Sequence, residues 1–251
     1  MLLPLADNNP LRYIRHGYVN WTMIGLCVAV FVYELGLDQQ AARVFAYAYG
    51  AIPAVIFGIA DLGPDIKRIP DLATLVTAMF LHGGFMHIAG NMLFLWVLGD
   101  NVEDALGHAR YLIFYLACGI LATLAHGLSE PGSQVPMVGA SGAISGIIGG
   151  YLVLHPKAQI KTLVWVFVVE LPAWLVLGIW IVFQVLSAVG SAGGAGGGVA
   201  WWAHIGGLIA GLALIAPMRR KGVVLFDKGL GKKPPRGPRI TMRQGPWTRR
   251  K

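Results

Sequence analysis

Residues 171–218, LPAWLVLGIWIVFQVLSAVGSAGGAGGGVAWWAHIGGLIAGLALIAPM, contain no Asp, Glu, Lys or Arg. A helix that crosses a hydrocarbon layer of about 30 Å needs about 20 apolar residues, so this stretch is long enough to cross twice. A glycine-rich break at 190–198 divides it and predicts spans over 171–189 and 200–217. Working outward, charge-free tracts recur at 17–33, 72–99, 111–129 and 131–156, each suited to one span. The sum is an all-α membrane protein with six transmembrane helices. A chain that is 56% hydrophobic and 13% charged is far from the mix of a soluble domain.

Charge orients the spans. The net charge is +8, and twelve of the twenty Lys and Arg residues follow Met218, most of them in KGLGKKPPRGPRITMRQGPWTRRK. Such a tail cannot bury a core and reads as a disordered cytoplasmic anchor, so nucleic acid is not an expected partner. The predicted organisation is a short cytoplasmic N-terminus over 1–18, a six-span unit over 19–218 and a basic tail over 219–251. The first 18 residues lack the apolar stretch of a cleavable signal, so the first span is expected to stay as an anchor. Both termini are expected inside, in agreement with Arg12, Arg15, Arg110, Lys157 and Lys161. The first loop, 38–71, mixes Arg43, Lys67 and Arg68 with Pro53, Gly58, Gly63, Pro64 and Pro70, and reads as a folded, interface-lying insert. Cys27 and Cys118 lie in predicted spans without metal-ligand spacing and read as packing residues.

Polar groups inside a membrane are costly, so each is a functional candidate. In this topology the second, fourth and sixth spans all run from outside to inside. The second opens with LHGGFMHIAGNMLFLW, which places His82, His87 and Asn91 in its first turns, with His87 and Asn91 sharing one helix face. The fourth opens with VGASGAISGIIGG and starts at Ser141; the sixth opens with WWAHIGGLIAGLAL and carries His204 in its first turn. Taken singly, a serine among glycines is a packing residue and an asparagine is interhelical glue. Their common depth on three helices outweighs that reading. A serine hydroxyl becomes a nucleophile when a base is within hydrogen-bond reach, which His204 can supply. Asn91, His87 and the backbone N–H of Ser141 can serve the oxyanion of a tetrahedral intermediate. No Asp or Glu lies near His204 in sequence, so a dyad is expected, with no carboxylate orienting the base.

These residues bear a resemblance. Residues 21–217 resemble the rhomboid intramembrane serine proteases on three motifs. Gly-x-Ser-Gly stands at Gly139, Ser141 and Gly142; His-x4-His-x3-Asn at His82, His87 and Asn91; and Ala-His-x2-Gly-x3-Gly at Ala203, His204, Gly207 and Gly211. The resemblance implies a rhomboid-like bundle, Ser141 as nucleophile, His204 as base, and His87 and Asn91 in the oxyanion hole. It implies a supporting role for His82, no metal and no cofactor. The implied partners are membrane lipids and single-span membrane proteins, cut near small, helix-destabilising residues by an active site facing outward from a cell membrane. One departure is Ala73-Thr74, where relatives often carry Trp-Arg in the first loop.

Ser145-Gly146 repeats Ser141-Gly142, but Ala143 stands where the motif has its first glycine, so Ser145 is the lesser candidate. The loop over 187–200 is rich in glycine and reads as a lid over a wet site. Gly207 and Gly211 are expected to face Gly142 and Gly146 across a close helix contact. A metalloprotease would need His-Glu-x2-His, whereas Ile-Ala-Gly-Asn follows His87. An aspartyl protease would need two aspartates in the spans, and the predicted spans hold none. A transporter would be expected to show internal repeats, and none is convincing. The alternative function is a proteolytically inactive relative that binds membrane clients.

Overall fold

The computed structural model describes residues 2–191 and 200–227. Its helices are α1 (Tyr18–Leu35), α2 (Gln39–Tyr49), α3 (Pro53–Ile56), α4 (Thr74–Thr77), α5 (Phe85–Leu106), α6 (His108–Ser129), α7 (Ser141–Leu154), α8 (Ala173–Ser191) and α9 (Trp201–Met218). Three strands, β1 (Leu2–Asp7), β2 (Gln159–Val164) and β3 (Phe167–Pro172), form one antiparallel sheet in the order β1-β2-β3.

The protein is a mostly helical, multi-pass membrane protein. Among the described residues, α1, α6, α8 and α9 are each long and apolar enough to cross a bilayer, with mean hydropathies of 1.5 to 2.0. A fifth crossing exists if the segment Asp71–Phe80 and α5, which meet at a bend of 83°, form one broken span. α7, the predicted fourth span, has only 14 residues. At 1.5 Å per residue that is about 21 Å, short of the hydrocarbon thickness. Its residues from Ala143 to Tyr151 are all buried, so protein rather than lipid surrounds it.

The second predicted span, over 72–99, differs from the structure at both ends. The chain breaks at His82, Gly83 and Gly84, and α5 starts only at Phe85. It then runs past Gly99 through Asp100, Glu103 and Asp104, so aspartates do stand within this helix. The absence of charge therefore does not mark the helix end, because backbone donors meet these carboxylates. Asp104 accepts the N–H groups of Arg12, Tyr13 and Ile14 at 2.8, 2.6 and 2.7 Å. Glu103, with no exposed surface, accepts those of Val19 and Asn20 at 3.0 and 2.8 Å and pairs with His108. Val19 and Asn20 open α1, which has no side-chain cap of its own. Glu103 thus caps α1 from a neighbouring helix and sits at its positive dipole end.

The sheet corrects the all-α expectation. The segment around Lys157 and Lys161 reads as a plain inner loop, but residues 159–172 form a hairpin whose tip exposes Trp165, Val166 and Phe167. Its outer partner β1 is remote in sequence, with Leu2 opposite Val164 and Asp7 opposite Ile160. Both flanks are tied to the bundle by hydrogen bonds. Past Met218, Arg220 N–H donates to Ala105 O at 2.9 Å, and Phe226 and Asp227 donate to Val153 and Leu154 at 2.7 and 2.9 Å. Residues 228–251, the rest of the predicted disordered tail, lie outside the described residues. The first loop is a folded insert, with Asp38 capping α2 by accepting the N–H of Ala41 at 2.8 Å.

Glycine lets α7 meet α6 and α9. A Cβ on Gly207 would overlap the carbonyl oxygen of Gly142, and one on Gly211 that of Gly146. On the α6 side, a Cβ on Gly142 would lie 2.7 Å from the Ala122 Cβ. Cys118 is fully buried beside Gly146, and Cys27 is equally buried, so both cysteines are packing residues. A polar link ties α1, α5 and α6 together: Asn20 Nδ2–H donates to Leu95 O at 3.0 Å, and Tyr111 Oη–H donates to Asn20 Oδ1 at 2.7 Å.

Candidate active site

Ser141 is the first residue of α7, following Gly139 and Ala140. Gly139 has φ +122°, where an L side chain is strained, and a Cβ there would lie 2.7 Å from Cε1 and Nε2 of His87. Glycine at this position therefore lets the chain turn into α7 directly against the His87 ring. The first N–H groups of a helix have no partner within it, so the Ser141 amide belongs to a donor-rich end.

α9 brings His204 over Ser141. The Ser141 Oγ–H donates to His204 Nε2 at 2.8 Å, and His204 Nδ1–H donates to Gln184 Oε1 at 2.6 Å. The close α7–α9 contact at Gly207 lies three residues beyond His204, on nearly the same side of the helix. Trp180 and Trp201 flank the imidazole with ring centroids 6.0 Å away. α5 contributes His87 and Asn91. Asn91 is buried, and among the described residues its Nδ2 has no hydrogen-bond acceptor. It lies 3.6 Å from the position of a Cβ on Gly139.

One cavity of about 760 Å³ unites His87, Asn91, Ser141, His204, Gln184 and Trp180. The four residues expected at a common depth therefore do line one space, together with apolar side chains such as Phe94 and Ile144. His82 does not line it. It precedes α5 instead of lying in its first turns, its N–H donates to Glu34 Oε2 at 3.2 Å, and its ring stands edge-on to His87 at 5.2 Å. Ser145 is fully buried, with Oγ–H donating to Ser141 O at 2.7 Å. The glycine-rich lid expected over 187–200 lies largely outside the described residues; its first residues continue α8 through Ser191.

Gln184 and Trp180 are absent from the sequence reading. The signal was available, since Gln184 interrupts an apolar run just as His87 and Asn91 do. It has no neighbouring motif, and only the fold shows that it and Trp180, four residues apart, share the α8 face turned to His204.

The family model for the Rhomboid domain matches residues 70–221, more than half of the chain. The chain belongs to the rhomboid family. The match covers everything from the end of the first loop to the segment after α9, and so includes every residue around the cavity. Similar proteins include the rhomboid protease GluP of Bacillus subtilis, 32% identical over 215 residues that cover 78% of this rhomboid and 39% of the relative. Rhomboid protein 1, mitochondrial, of Saccharomyces cerevisiae is 30% identical over 145 residues, or 55% and 40% of the two chains. The rhomboid protease GlpG of Klebsiella pneumoniae is 24% identical over 220 residues, or 82% and 69%. This rhomboid spans about two fifths of the length of the first two of these.

Proposed function

We propose that this rhomboid is an intramembrane serine endopeptidase working through a Ser141–His204 dyad. The observation that carries the reading is the 2.8 Å hydrogen bond from Ser141 Oγ to His204 Nε2 inside a cavity also lined by His87 and Asn91. Ser141 Oγ attacks the scissile carbonyl while His204 Nε2 takes its proton, then returns that proton to the leaving amine. Asn91 Nδ2, His87 and the Ser141 backbone N–H stabilise the oxyanion, and an Asn91 donor with no acceptor among the described residues suits that task. Water, activated by the same imidazole, then hydrolyses the acyl-enzyme. Ser141 is preferred to Ser145, whose hydroxyl is committed to a carbonyl of its own helix.

The substrates proposed are single-span membrane proteins with small, helix-destabilising residues near the outer face. The proposed topology has six crossings of a cell membrane, supported by the charge-free tracts, with both termini cytoplasmic and the site opening outward, supported by the Lys and Arg distribution. The first loop then lies at the outer interface.

The test is labelling of the detergent-solubilised protein by a fluorophosphonate, beside cleavage of a model transmembrane substrate. The parent is expected to do both, and Ser141→Ala and His204→Ala to do neither while remaining folded. Cleavage by Ser141→Ala at the parent rate would refute the dyad. A folded parent that neither labels nor cleaves would overturn the protease reading in favour of the inactive alternative.

A further inference from the structure

A serine–histidine pair in an apolar setting raises a question of orientation. Neutral imidazole has two tautomers, and only the one protonated at Nδ1 presents a lone pair at Nε2 to a serine hydroxyl. A ring without a partner at Nδ1 populates both. In soluble triads a buried carboxylate makes the choice. Among the described residues no Asp or Glu lines the part of the cavity next to His204; the one carboxylate they bring to the cavity, Glu130, is exposed at the end of α6.

Gln184 occupies the carboxylate's position. It is 5% exposed, and its Oε1 lies 2.6 Å from His204 Nδ1, on the far side of the ring from Ser141. An amide oxygen is an acceptor only, so it selects the tautomer protonated at Nδ1. A neutral acceptor also avoids burying a carboxylate among apolar side chains, where an ionised group carries a large desolvation penalty. Trp180, one turn earlier on α8, packs near the same ring and limits its rotation.

We infer that Gln184 is a positioning residue for His204, making the site a neutral Ser141–His204–Gln184 relay. The inference rests on the dyad reading and adds α8 to the helices that the chemistry requires. The competing account is structural: an interhelical hydrogen bond that ties α8 to α9 and nothing more.

The test uses the full-length protein in detergent, labelled with 15N-histidine, and the variants Gln184→Met and Gln184→Glu. The His204 signals are identified by their loss in His204→Asn. The parent is expected to show His204 protonated at Nδ1. Gln184→Met, similar in size but without the amide acceptor, is expected to show mixed tautomers. Its kcat should fall about 10- to 100-fold, the scale of a misplaced catalytic group, with KM within about threefold. Gln184→Glu keeps an acceptor and should keep both the tautomer and kcat within about tenfold of the parent.

An unchanged tautomer and kcat in Gln184→Met, with only a lower Tm, would reduce Gln184 to an interhelical tie. If Gln184→Met does not fold, Gln184→Asn, which withdraws the amide by one methylene, is expected to show the same tautomer mixing and kcat loss. Parent values for it would overturn the role. The two proposals fail separately. Cleavage by Ser141→Ala sinks the dyad while the His204 tautomer still reports on Gln184; an inactive Ser141→Ala beside a fully active Gln184→Met sinks only the relay.

Discussion

The carbonyl oxygen of Gly142 occupies the space that a Cβ on Gly207 would need, so α7 and α9 meet backbone to backbone one turn below the Ser141–His204 hydrogen bond. Gly207→Val must push the helices apart, and a displacement of about 1 Å can cost on the order of a hundredfold in rate. We predict that Gly207→Val loses about that factor in both fluorophosphonate labelling and proteolysis. Ile209→Val, on an exposed position of the same helix, should leave both within about twofold. Normal labelling of Gly207→Val would show that this contact does not set the base.

Asn91 and Ser145 separate a site role from a packing role. Asn91→Ala removes a donor that has no acceptor among the described residues, so kcat is expected to fall about 100- to 1,000-fold, the cost of one oxyanion donor. Ser145→Ala removes only a bond to the Ser141 carbonyl and should cost about 1 kcal/mol of stability with activity kept. Steady-state cleavage of a transmembrane substrate, read beside thermal unfolding, checks both. An inactive but folded Ser145→Ala would reopen the choice of nucleophile.

The Asp104 carboxylate holds three consecutive backbone N–H groups, those of Arg12, Tyr13 and Ile14. Hydrogen bonds to a charged group are worth more than neutral ones, and a buried donor left without a partner is costly. Asp104→Ala is expected to cost about 3 kcal/mol. It should also free the N-terminal segment for cleavage by added protease before the bundle unfolds. An N-terminus as protease-resistant as the parent's would show that β1 alone retains it.

Asp7 gives a pH dependence outside the spans. Burial pushes its carboxyl up from 3.8 to about 7, although the Tyr151 hydroxyl, donating at 2.6 Å, opposes the shift, and nearby Asp100 adds to it. The folded state therefore keeps a proton that the unfolded state releases between about pH 4 and 7. Stability should fall as pH rises through that window and level off above it. Asp7→Asn removes the titration, so the drop in Tm between pH 4.5 and 7.5 should be smaller in Asp7→Asn than in the parent. Equal drops would mean that Asp7 does not titrate there.

Much of the site was legible because membrane-embedded polar residues are few. His87, Asn91, Ser141 and His204 stand out against apolar runs, and helical spacing with alternating span direction brings them to one depth. Gly207 and Gly211 were legible for a related reason, since two glycines four apart on a span suit a close approach. Gln184 was equally conspicuous but had no partner at a readable spacing, because its contact is with a residue on another helix. The break before α5 and its run past Asp100, Glu103 and Asp104 were not legible, since Asp104 and Glu103 are met by backbone N–H groups in the N-terminal segment and α1. β1 pairing with the 159–172 hairpin was hidden for the same reason: the pairing is between segments more than a hundred residues apart.

By itself the sequence determined that this is a membrane-embedded helical protein, where the polar side chains stand along its spans, and which helices carry glycine faces. These follow from local rules, namely the length of apolar runs, the cost of polar groups in lipid and the periodicity of a helix. Only the tertiary structure decided that α7 is a short helix enclosed by protein, that Glu103 caps α1, that His82 stands behind His87, and that Gln184 meets His204. The enclosure of α7, the cap on α1 and the Gln184–His204 bond are contacts between different helices, set by how closely their backbones pack, while His82 is placed by the break in the chain just before α5.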